Sequence, residues 1–496
     1  MFRTTFLGHQ GWLFSSGDSH VLLDPLLCDG FGNGPPGHLR VYPPRRFNWD
    51  AFPAVDGVLY SHEHEDHFHL GSVACIDRRI PIYLSGRSSS AARGILTDMG
   101  FHVHLTSPAR PLTIGNFLVL PLAQSMSGFH PGEWDTLAIC IRDRERHGGF
   151  FTSVDHRYAR LTLDALRRSG ERPQLWTYPD NEMDIAWMVE GAQPRPDDTD
   201  GLVRDLTGVW EEIPSDLRPQ AVLVCSNGLS FDGDLEWLNG ALFNRDVGAA
   251  CARIKDAPQR RYLAPMPGES LVMQDGRIIS PSVRSQYLAA TDAGVWPRHD
   301  ARSSPAEAGQ RFRPATGRVN LEHQERARVS PALAGFAAFL YGSSLFHEVY
   351  ELTEAAPEGR RPAVALQLLE GEERRASLWE YVPQACRFIE VNNAAPQHYL
   401  AGATFWASDL LALLEARIMP SRIAMGRVHL WNVRPDRFRF DLFHLLFHYV
   451  HPLRQPEAFL RMYREDPSTR SGAVEIRVHA SARCIAASPA GARPPA

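Results

Sequence analysis

The residues best suited to chemistry lie in one short segment, Ser61–Leu70, which reads Ser-His-Glu-His-Glu-Asp-His-Phe-His-Leu and directly follows the apolar run Val55–Tyr60. Four strong metal-ligand side chains fall within six positions: His62, His64, Asp66 and His67. Imidazole and carboxylate together suit zinc or iron better than calcium or magnesium. The segment therefore predicts a metal site, and a solvated loop rich in histidine and acid is the alternative interpretation.

The spacing of these ligands predicts that one loop serves two ions. His62 and His64 are two residues apart, so on an extended segment both rings point the same way. Asp66 and His67 are adjacent and project differently, toward a second ion. We therefore predict a dinuclear centre with two divalent metal ions, zinc by preference and a pair of iron ions as the alternative.

The elements that must position this segment follow an α/β pattern. Phe2–Phe14 and His20–Leu27 read as two strands around a Ser-Ser-Gly-Asp turn. Up to residue 225, strand-like and helix-like runs then alternate, which is typical of a layered α/β domain. The predicted helices in this half are Ser88–Met99, Ala159–Arg168 and Asp246–Lys255.

The second half of the chain is organised differently. Residues 291–330 are rich in Arg, Pro, Ala and Ser and are interpreted as a linker or irregular insertion. Residues 331–480 are expected to form a smaller α+β domain, beginning with a helix at Pro331–Tyr341. The tail, residues 481–496, is expected to be disordered.

Composition narrows the class of protein. A chain of 496 residues is expected to form two or three domains. A net charge of −5 gives no electrostatic reason for binding nucleic acid or a membrane surface. No apolar run is long enough to span a bilayer. We therefore expect a small-molecule substrate, no nucleic acid and no membrane span, with a homodimer left open.

Cysteine usage points to a reducing compartment. The seven cysteines are dispersed and form no Cys-x-x-Cys pair, so no thiolate zinc site or iron–sulfur cluster is indicated. We expect reduced thiols that serve mostly as small core residues. The chain opens directly on a predicted strand, with no signal-peptide pattern, and a cytoplasmic location is expected.

The motif His62-x-His64-x-Asp66-His67 after a strand resembles the metallo-β-lactamase superfamily. The opening hairpin and its terminal Asp24 agree with that family. The Gly8-His9 pair followed by Leu-Leu-Asp-Pro is most similar to the branch of lactonases and N-acyl phosphatidylethanolamine phospholipase D. The resemblance implies an αββα sandwich within a metal-binding domain of residues 1–290, followed by the smaller α+β domain. It leaves His9 either near the metals or packed in the hairpin.

The same resemblance leaves the next metal ligand open. The histidine that the family places after a following strand falls on Ser125 here, and His130 and Glu133 lie in the same loop. His130 would complete a three-histidine set like that of zinc hydrolases. Glu133 would make the site carboxylate-rich, which is similar to the di-iron β-hydroxylases of this superfamily.

The resemblance also implies a bridging carboxylate, and it shows that one histidine ligand of the family is missing from this chain. Asp155 ends an apolar strand where the family has an aspartate that bridges two ions about 4 Å apart; a helix cap is the alternative, with His156 as the fallback ligand. The family's last histidine has no counterpart, and Asn227 or Asn244 stands in its region. The second metal site is therefore expected to be weak, altered or absent.

Three functions follow from these residues, in order of preference. The first is a metal-dependent hydrolase that uses activated water on an ester, lactone, amide or phosphodiester, with Asp66 and Asp155 as the catalytic carboxylates. The second is a non-haem di-iron oxygenase, favoured by Glu133 and by a C-terminal similarity to CMP-N-acetylneuraminate hydroxylase. That region is also similar to sterol-carrier-like domains. The third is a non-catalytic scaffold with a degraded metal site.

Overall fold

The computed structural model describes residues 1–33, 39–124, 135–180, 188–189, 198–226, 228–239, 245–254, 261–291, 312–343, 361–392, 395–424, 426–432, 442–471 and 475–478. In chain order the strands are β1 (Phe2–Gly8), β2 (Gly11–Ser16), β3 (Ser19–Leu23), β4 (Gly30–Phe31), β5 (Leu39–Val41), β6 (Arg45–Phe47), β7 (Gly57–Tyr60), β8 (Ile82–Ser85), β9 (Val103–Thr106), β10 (Leu112–Ile114), β11 (Phe117–Ala123), β12 (Leu137–Asp143), β13 (Gly149–Thr152), β14 (Leu175–Pro179), β15 (Ala221–Cys225), β16 (Leu229–Phe231), β17 (Tyr262–Leu263), β18 (Glu269–Gln274), β19 (Arg277–Arg284), β20 (Leu288–Ala290), β21 (Arg361–Glu370), β22 (Arg375–Val382), β23 (Arg387–Val391), β24 (Tyr399–Trp406) and β25 (His429–Asn432).

The α-helices are α1 (Leu70–Ala74), α2 (Ser90–Asp98), α3 (Arg160–Ser169), α4 (Thr199–Glu212), α5 (Val247–Arg253), α6 (His323–Tyr341), α7 (Ala407–Leu414), α8 (Ser421–Ala424), α9 (Leu442–Tyr449), α10 (Pro456–Glu465) and α11 (Ser468–Ser471). Short 3₁₀ turns occur at Ser215–Leu217, Gly233–Leu238, Pro383–Ala385 and Pro396–His398. Among the described residues, none of these helices combines the length and the apolar character needed to cross a membrane.

Two large sheets stacked face to face form the first half of the molecule. One has the order β19-β18-β1-β2-β3-β7-β8-β9 and the other β10-β11-β12-β13-β14-β15-β17. Their shared core is rich in aromatic residues, including Phe2, Trp12, Phe14, Phe117 and Phe150. Helices α3, α4 and α5 contribute to a separate core on the outer face of the second sheet, and α1 and α2 to a core on the first. The predicted αββα sandwich is confirmed.

Strand β12 shows how the sequence produces two cores. Leu137, Ile139 and Ile141 belong to the core between the sheets. Ala138 and Cys140 belong to the core under the outer helices. Successive side chains of a strand point to opposite faces, so an uninterrupted apolar run is what a strand buried on both sides requires.

A five-stranded mixed sheet, in the order β23-β22-β21-β24-β25, forms the centre of the C-terminal part. Helices α6 and α7 pack on it, with Phe336, Leu340 and Leu411 in their common core. This arrangement confirms the expected further α+β region. Helix α6 begins at His323, however, eight residues before the predicted start. A capping box between Glu322 and Glu325 stabilises that first turn, and Pro331 lies inside the helix.

The last part of the chain returns to the N-terminal layers. Helix α10 packs against α2, where Arg464 Nε lies 2.7 Å from Asp98 Oδ2. Residues 475–478 add two parallel bridges, Val55 with Val478 and Ile76 with Ile476. The segments that follow residue 455 therefore contact the metal-binding half, although the sequence groups them with the C-terminal region. The predicted tail, 481–496, lies outside the described residues.

Candidate metal centre

The histidine-rich loop connects the carboxyl end of β7 to helix α1. Strand β7 pairs in parallel with β3, with Leu59 opposite Leu23. The residues that follow the two strands, Asp24 and Ser61, are therefore neighbours at the same sheet edge. The loop ends at His69, whose side chain caps α1 by accepting from the Ser72 amide. His69 thus supports the helix and is absent from both ligand groups described below.

One group of ligand atoms, called the first cluster, comprises His62, His64 and Asp155. The three ligand atoms lie within 4.8 Å of one another. Asp155 lies just after β13, on the second sheet, and its Oδ2 is 3.3 Å from His62 Nε2. Helix α3 begins only at Arg160, with Ala159 at its cap position. Asp155 therefore does not cap that helix and faces the histidine loop instead.

A second cluster lies beside the first and comprises His9, Asp66 and His67, whose ligand atoms also lie within 4.8 Å of one another. His9 is in the turn between β1 and β2, and its Nε2 is 2.9 Å from Asp66 Oδ2. Of the two roles that the sequence leaves open for His9, the structure favours the one beside the candidate metal ligands. The Gly8-His9 pair was the signal for it.

The two clusters are in contact through His67 and Asp155, and their ligand atoms suit a pair of metal ions. His67 Nε2 lies 3.0 Å from Asp155 Oδ2 and 3.6 Å from Asp66 Oδ2. Among the described residues, the buried Nε2 atoms of His62 and His67 have no hydrogen-bond partner of adequate geometry. Both atoms nevertheless face the same carboxylate oxygen of Asp155. Imidazole nitrogens directed at a common carboxylate oxygen are the arrangement that two neighbouring cations require.

Asp24 orients one histidine of each cluster. Its carboxylate accepts hydrogen bonds from the Ser61 amide (2.8 Å) and the Ser61 hydroxyl (2.6 Å). Its Oδ2 lies 3.0 Å from Nδ1 of His67, and Ser61 Oγ lies 2.9 Å from Nδ1 of His62. Holding Nδ1 of each ring directs Nε2 toward the centre, as the outer partners of metal-bound histidines do.

Backbone strain is concentrated at this sheet edge. Four non-glycine residues adjacent to or within the clusters have left-handed conformations: His9 (φ 54), Asp24 (φ 45), Val154 (φ 58) and Ser226 (φ 81). Each costs of the order of 1–3 kcal/mol and persists only where the surrounding structure enforces it. The Ser226 amide, for example, donates to the His9 carbonyl at 3.0 Å. Two of these residues, His9 and Val154, lie at or directly before a candidate ligand.

The two glutamates within the motif anchor the loop to different parts of the molecule. Glu63 accepts from the amide and the hydroxyl of Ser89, the cap residue of α2. Glu65 accepts from the Asn33 amide at 2.7 Å and from the hydroxyl of Ser421 in α8. Burial, reinforced by the nearby Asp135 carboxylate, raises the pKa of Glu63 to about 8. A C-terminal helix therefore bonds directly to the candidate metal loop.

Carboxylates and histidines within the clusters shift one another's pKa values. Burial alone would raise the pKa of Asp155, but His67 and His62 outweigh it and hold that pKa well below its ordinary value. Burial opposes a charged His67, yet Asp155 and Asp66 hold the pKa of His67 well above the usual range. Burial, with His62 nearby, lowers the pKa of His64. A proton on His67 would therefore compete with a metal ion for that ring.

Several predicted residues cannot be placed. His130, Glu133 and Ser125 lie outside the described residues, as do Asn227 and Asn244, so the third-motif ligand and the replacement for the last histidine stay predictions. His156 is buried next to Asp155 and is not among the ligand atoms grouped within the described part of the chain. No feature of the sequence indicated Gln10, whose amide donates to Asp155 Oδ1.

Comparison with known proteins agrees with this geometry. Residues 3–131 match a family model described as a beta-lactamase superfamily domain. A UPF0173 metal-dependent hydrolase of Nitratidesulfovibrio vulgaris (strain DP4) is 26% identical over 210 residues, which cover 36% of this chain and 81% of the relative. The N-terminal part of the chain is therefore similar to the metallo-β-lactamase superfamily, and the resemblance inferred from the motif is confirmed at that level.

Solved structures with similarity to the chain include two kinds of enzyme. Igni18, a metallo hydrolase from Ignicoccus hospitalis, is 12% identical, covers 54% of this chain and 97% of its own, and gives a TM-score of 0.36. CmlA, a diiron beta-hydroxylase from Streptomyces venezuelae, is 19% identical, covers 53% of each chain, and gives a TM-score of 0.34.

Proposed function

We propose that the protein is a metal-dependent hydrolase whose ions are held by the first and second clusters. The observation that carries the proposal is the pair of clusters itself, with His67 and Asp155 at their shared edge, 3.0 Å apart. The related UPF0173 protein, described as a metal-dependent hydrolase, supports the same class. The proposed ligands are His62, His64 and Asp155 for one ion and His9, Asp66 and His67 for the other. His130 or Glu133 would add to the first.

Metal ions held there would supply Lewis-acid activation of water and of the scissile carbonyl or phosphoryl group. The chain's own groups would orient the reaction. Asp66 is the carboxylate open to solvent, with 29% of its side chain exposed against 6% for Asp155. Asp66 Oδ2 is the oxygen that faces His9, at 2.9 Å, and we assign the other oxygen, Oδ1, to accept the proton of the attacking water. The water oxygen bonds to the acyl carbon or phosphorus, and the bond to the leaving group breaks.

A di-iron oxygenase is the second candidate because of the ligand types. Each cluster holds two histidines and one carboxylate, a combination found in both zinc hydrolases and non-haem iron oxygenases. If Glu133 were a further ligand, its carboxylate would favour iron over zinc.

The metal content of freshly purified full-length protein separates these candidates. Elemental analysis should find zinc, and hydrolysis of p-nitrophenyl acetate, bis(p-nitrophenyl) phosphate or a simple lactone should continue without dioxygen and stop after chelation. Tightly bound iron with dioxygen-dependent turnover would favour the oxygenase. A folded chain that binds neither metal tightly would favour the scaffold.

The division of the chain into domains is likewise a proposal. We place the metal-binding domain at residues 1–290 and the α+β domain after the linker. The start of α6 at His323 supports an earlier beginning for that domain than residue 331. Hydrogen bonds from the Ala315 and Thr316 amides to Asp409 in α7 (2.7 and 2.9 Å) support the same shift.

A further inference from the structure

A third group of ligand side chains lies at the other end of the sandwich from the candidate metal centre. It comprises Asp143, Glu145 and His147, each of which offers one ligand atom within 4.8 Å of the others. These residues lie at the end of β12 and in its connection to β13, whereas Asp155 follows β13. The group therefore has no part in the first or second cluster or in the proposed reaction.

Asp143 supplies a buried carboxylate with one unused oxygen. Its side chain is fully buried, and its Oδ1 accepts a hydrogen bond from the Gly148 amide at 3.0 Å. Its Oδ2 is buried as well and has no hydrogen-bond partner in the part of the chain that the structure describes. A buried carboxylate oxygen without a donor is destabilising, and a bound ion or water is an ordinary explanation for one. Asp143 Oδ2 is therefore available to a cation.

His147 lies between two carboxylates that come from different turns. Its Nε2 is 2.9 Å from Glu145 Oε2, and its Nδ1 is 3.1 Å from Asp275 Oδ1 in the turn between β18 and β19. A neutral imidazole carries only one N–H and can donate to only one of these carboxylates. With its proton on Nδ1, His147 donates to Asp275 and leaves Nε2 as a metal ligand beside Glu145, which is the usual carboxylate–histidine–metal arrangement.

A protonated His147 that donates to both carboxylates is the alternative arrangement. Such a ring would satisfy Glu145 and Asp275, but both of its N–H groups would then be used and neither would reach Asp143 Oδ2. A cation among the three ligand side chains would instead serve all of them at once. The exposed fractions of the side chains, 23% for His147 and 75% for Glu145, give an ion access from solvent.

The two turns are held together by contacts that do not depend on an ion. The Gly276 amide donates to the His147 carbonyl at 2.9 Å. Gly148 packs so closely against the first sheet that a Cβ there would lie 2.8 Å from the Phe2 ring and 3.0 Å from the Met273 Cβ. The ligand side chains are therefore brought together by the fold, and an ion would not have to order them, which lowers the entropic cost of binding it.

We propose that Asp143, Glu145 and His147 bind a zinc ion that stabilises the fold, with Asp275 as the residue that orients His147. One imidazole and two carboxylates suit zinc, whereas calcium and magnesium take oxygen ligands. Asp275 lies in a turn of the first sheet, and the three ligands lie in a connection within the second. The ion would therefore stabilise the contact between the two sheets at this end of the sandwich.

The test counts zinc in the full-length protein and in matched variants after dialysis against the same chelator-buffered zinc solution. His147→Gln should contain about one zinc ion fewer than the unmodified protein and should keep whatever hydrolysis that protein shows. Because the readout is a difference, it holds for any number of ions in the first and second clusters. Glu171→Gln is the matched control, since it removes a carboxylate that pairs with Arg142 on β12 at 2.9 Å, and it should keep every ion.

Two further variants test the assigned roles. Asp275→Asn leaves the three ligands in place and should lower zinc affinity about 10–100-fold in competition with a chromogenic chelator. Asp143→Asn keeps the oxygen that accepts from the Gly148 amide, and it should lose the same ion as His147→Gln. Equal zinc content in His147→Gln and the unmodified protein would overturn the proposal, as would the loss of an ion from Glu171→Gln. A lower thermal midpoint of His147→Gln without loss of zinc would make His147 a protonated link between the turns and would also overturn it.

Discussion

The first and second clusters differ in where their residues come from and in which type of ligand reaches solvent. His62 and Asp155 of the first cluster are buried and His64 is half-buried, and both histidines come from two alternate positions after one strand. The second cluster recruits His9 from another turn, and 29% of its Asp66 side chain is exposed. The difference indicates a division of labour. We expect the first cluster to serve mainly to hold its ion, while the second offers a carboxylate oxygen to solvent and to substrate.

Removing a ligand of the first cluster should have the largest effect. We expect His64→Ala to lower metal content by about one ion and hydrolysis by more than about 100-fold, because even residues that only orient metal ligands cost 10–100-fold. Elemental analysis and the p-nitrophenyl assays measure both. His102→Ala removes an exposed histidine and should change neither. A fully metallated, active His64→Ala protein would contradict the proposed site.

Asp24→Asn should weaken both clusters together, because Asp24 supports His67 directly and His62 through Ser61. Metal affinity should fall about 10–100-fold with the fold retained. Competition with a chromogenic chelator gives the affinity, and circular dichroism gives the fold. The matched control is Asp56→Asn at the opposite end of β7, where the carboxylate bonds to the hydroxyl of Ser19. An equal loss in the control would mean that only strand stability had been lost.

The pH dependence of metal uptake should distinguish the clusters. The raised pKa of His67 means that the second cluster must release a proton to bind metal, so its affinity should rise with pH by about tenfold per unit below that pKa. Burial, with His62 nearby, lowers the pKa of His64, so binding metal at the first cluster should release less of a proton. Zinc competition at pH 6, 7 and 8 should therefore reveal one class of site whose affinity rises steeply with pH and one whose affinity changes little. His9→Ala should weaken zinc binding at the site with the steep pH dependence. Two sites with identical pH dependence would contradict the distinction between the clusters.

Ser421→Ala should have the smallest effect and tests the contact from the C-terminal half. It removes a hydrogen bond to the buried Glu65 carboxylate, which costs about 1.5–3 kcal/mol. The thermal midpoint should fall, and bound metal should restore part of the loss. Ser282→Ala is the matched control because Ser282 donates to Glu269 on an exposed strand at 3.0 Å. A metal affinity unchanged within error, with only the midpoint lowered, would limit Ser421 to a structural role.

The sequence could predict the parts of the site that lie in one short segment or at the end of a recognisable strand. His62, His64, Asp66 and His67 occupy one loop, and Asp155 is visible as an acid at a strand end. His9 and Gln10 could not be assigned, because their contacts join residues 57 and 145 positions apart through sheet pairing. The start of α6 was missed for a local reason. Pro331 resembled a helix start, while the capping box at Glu322 lay in a stretch whose composition resembled a linker.

The bond between Glu65 and Ser421 has a consequence for how the molecule is made. The two residues are 356 positions apart, so the ribosome must add all of that chain before the bond can form. At about 5–20 residues per second, the delay is roughly 20–70 s. During that interval the nascent histidine loop is tethered through Glu63 and through the bond from Asn33 to Glu65, but not yet to Ser421. Metal ions that bind before Ser421 is synthesised would therefore meet ligands that are held less rigidly than in the finished protein.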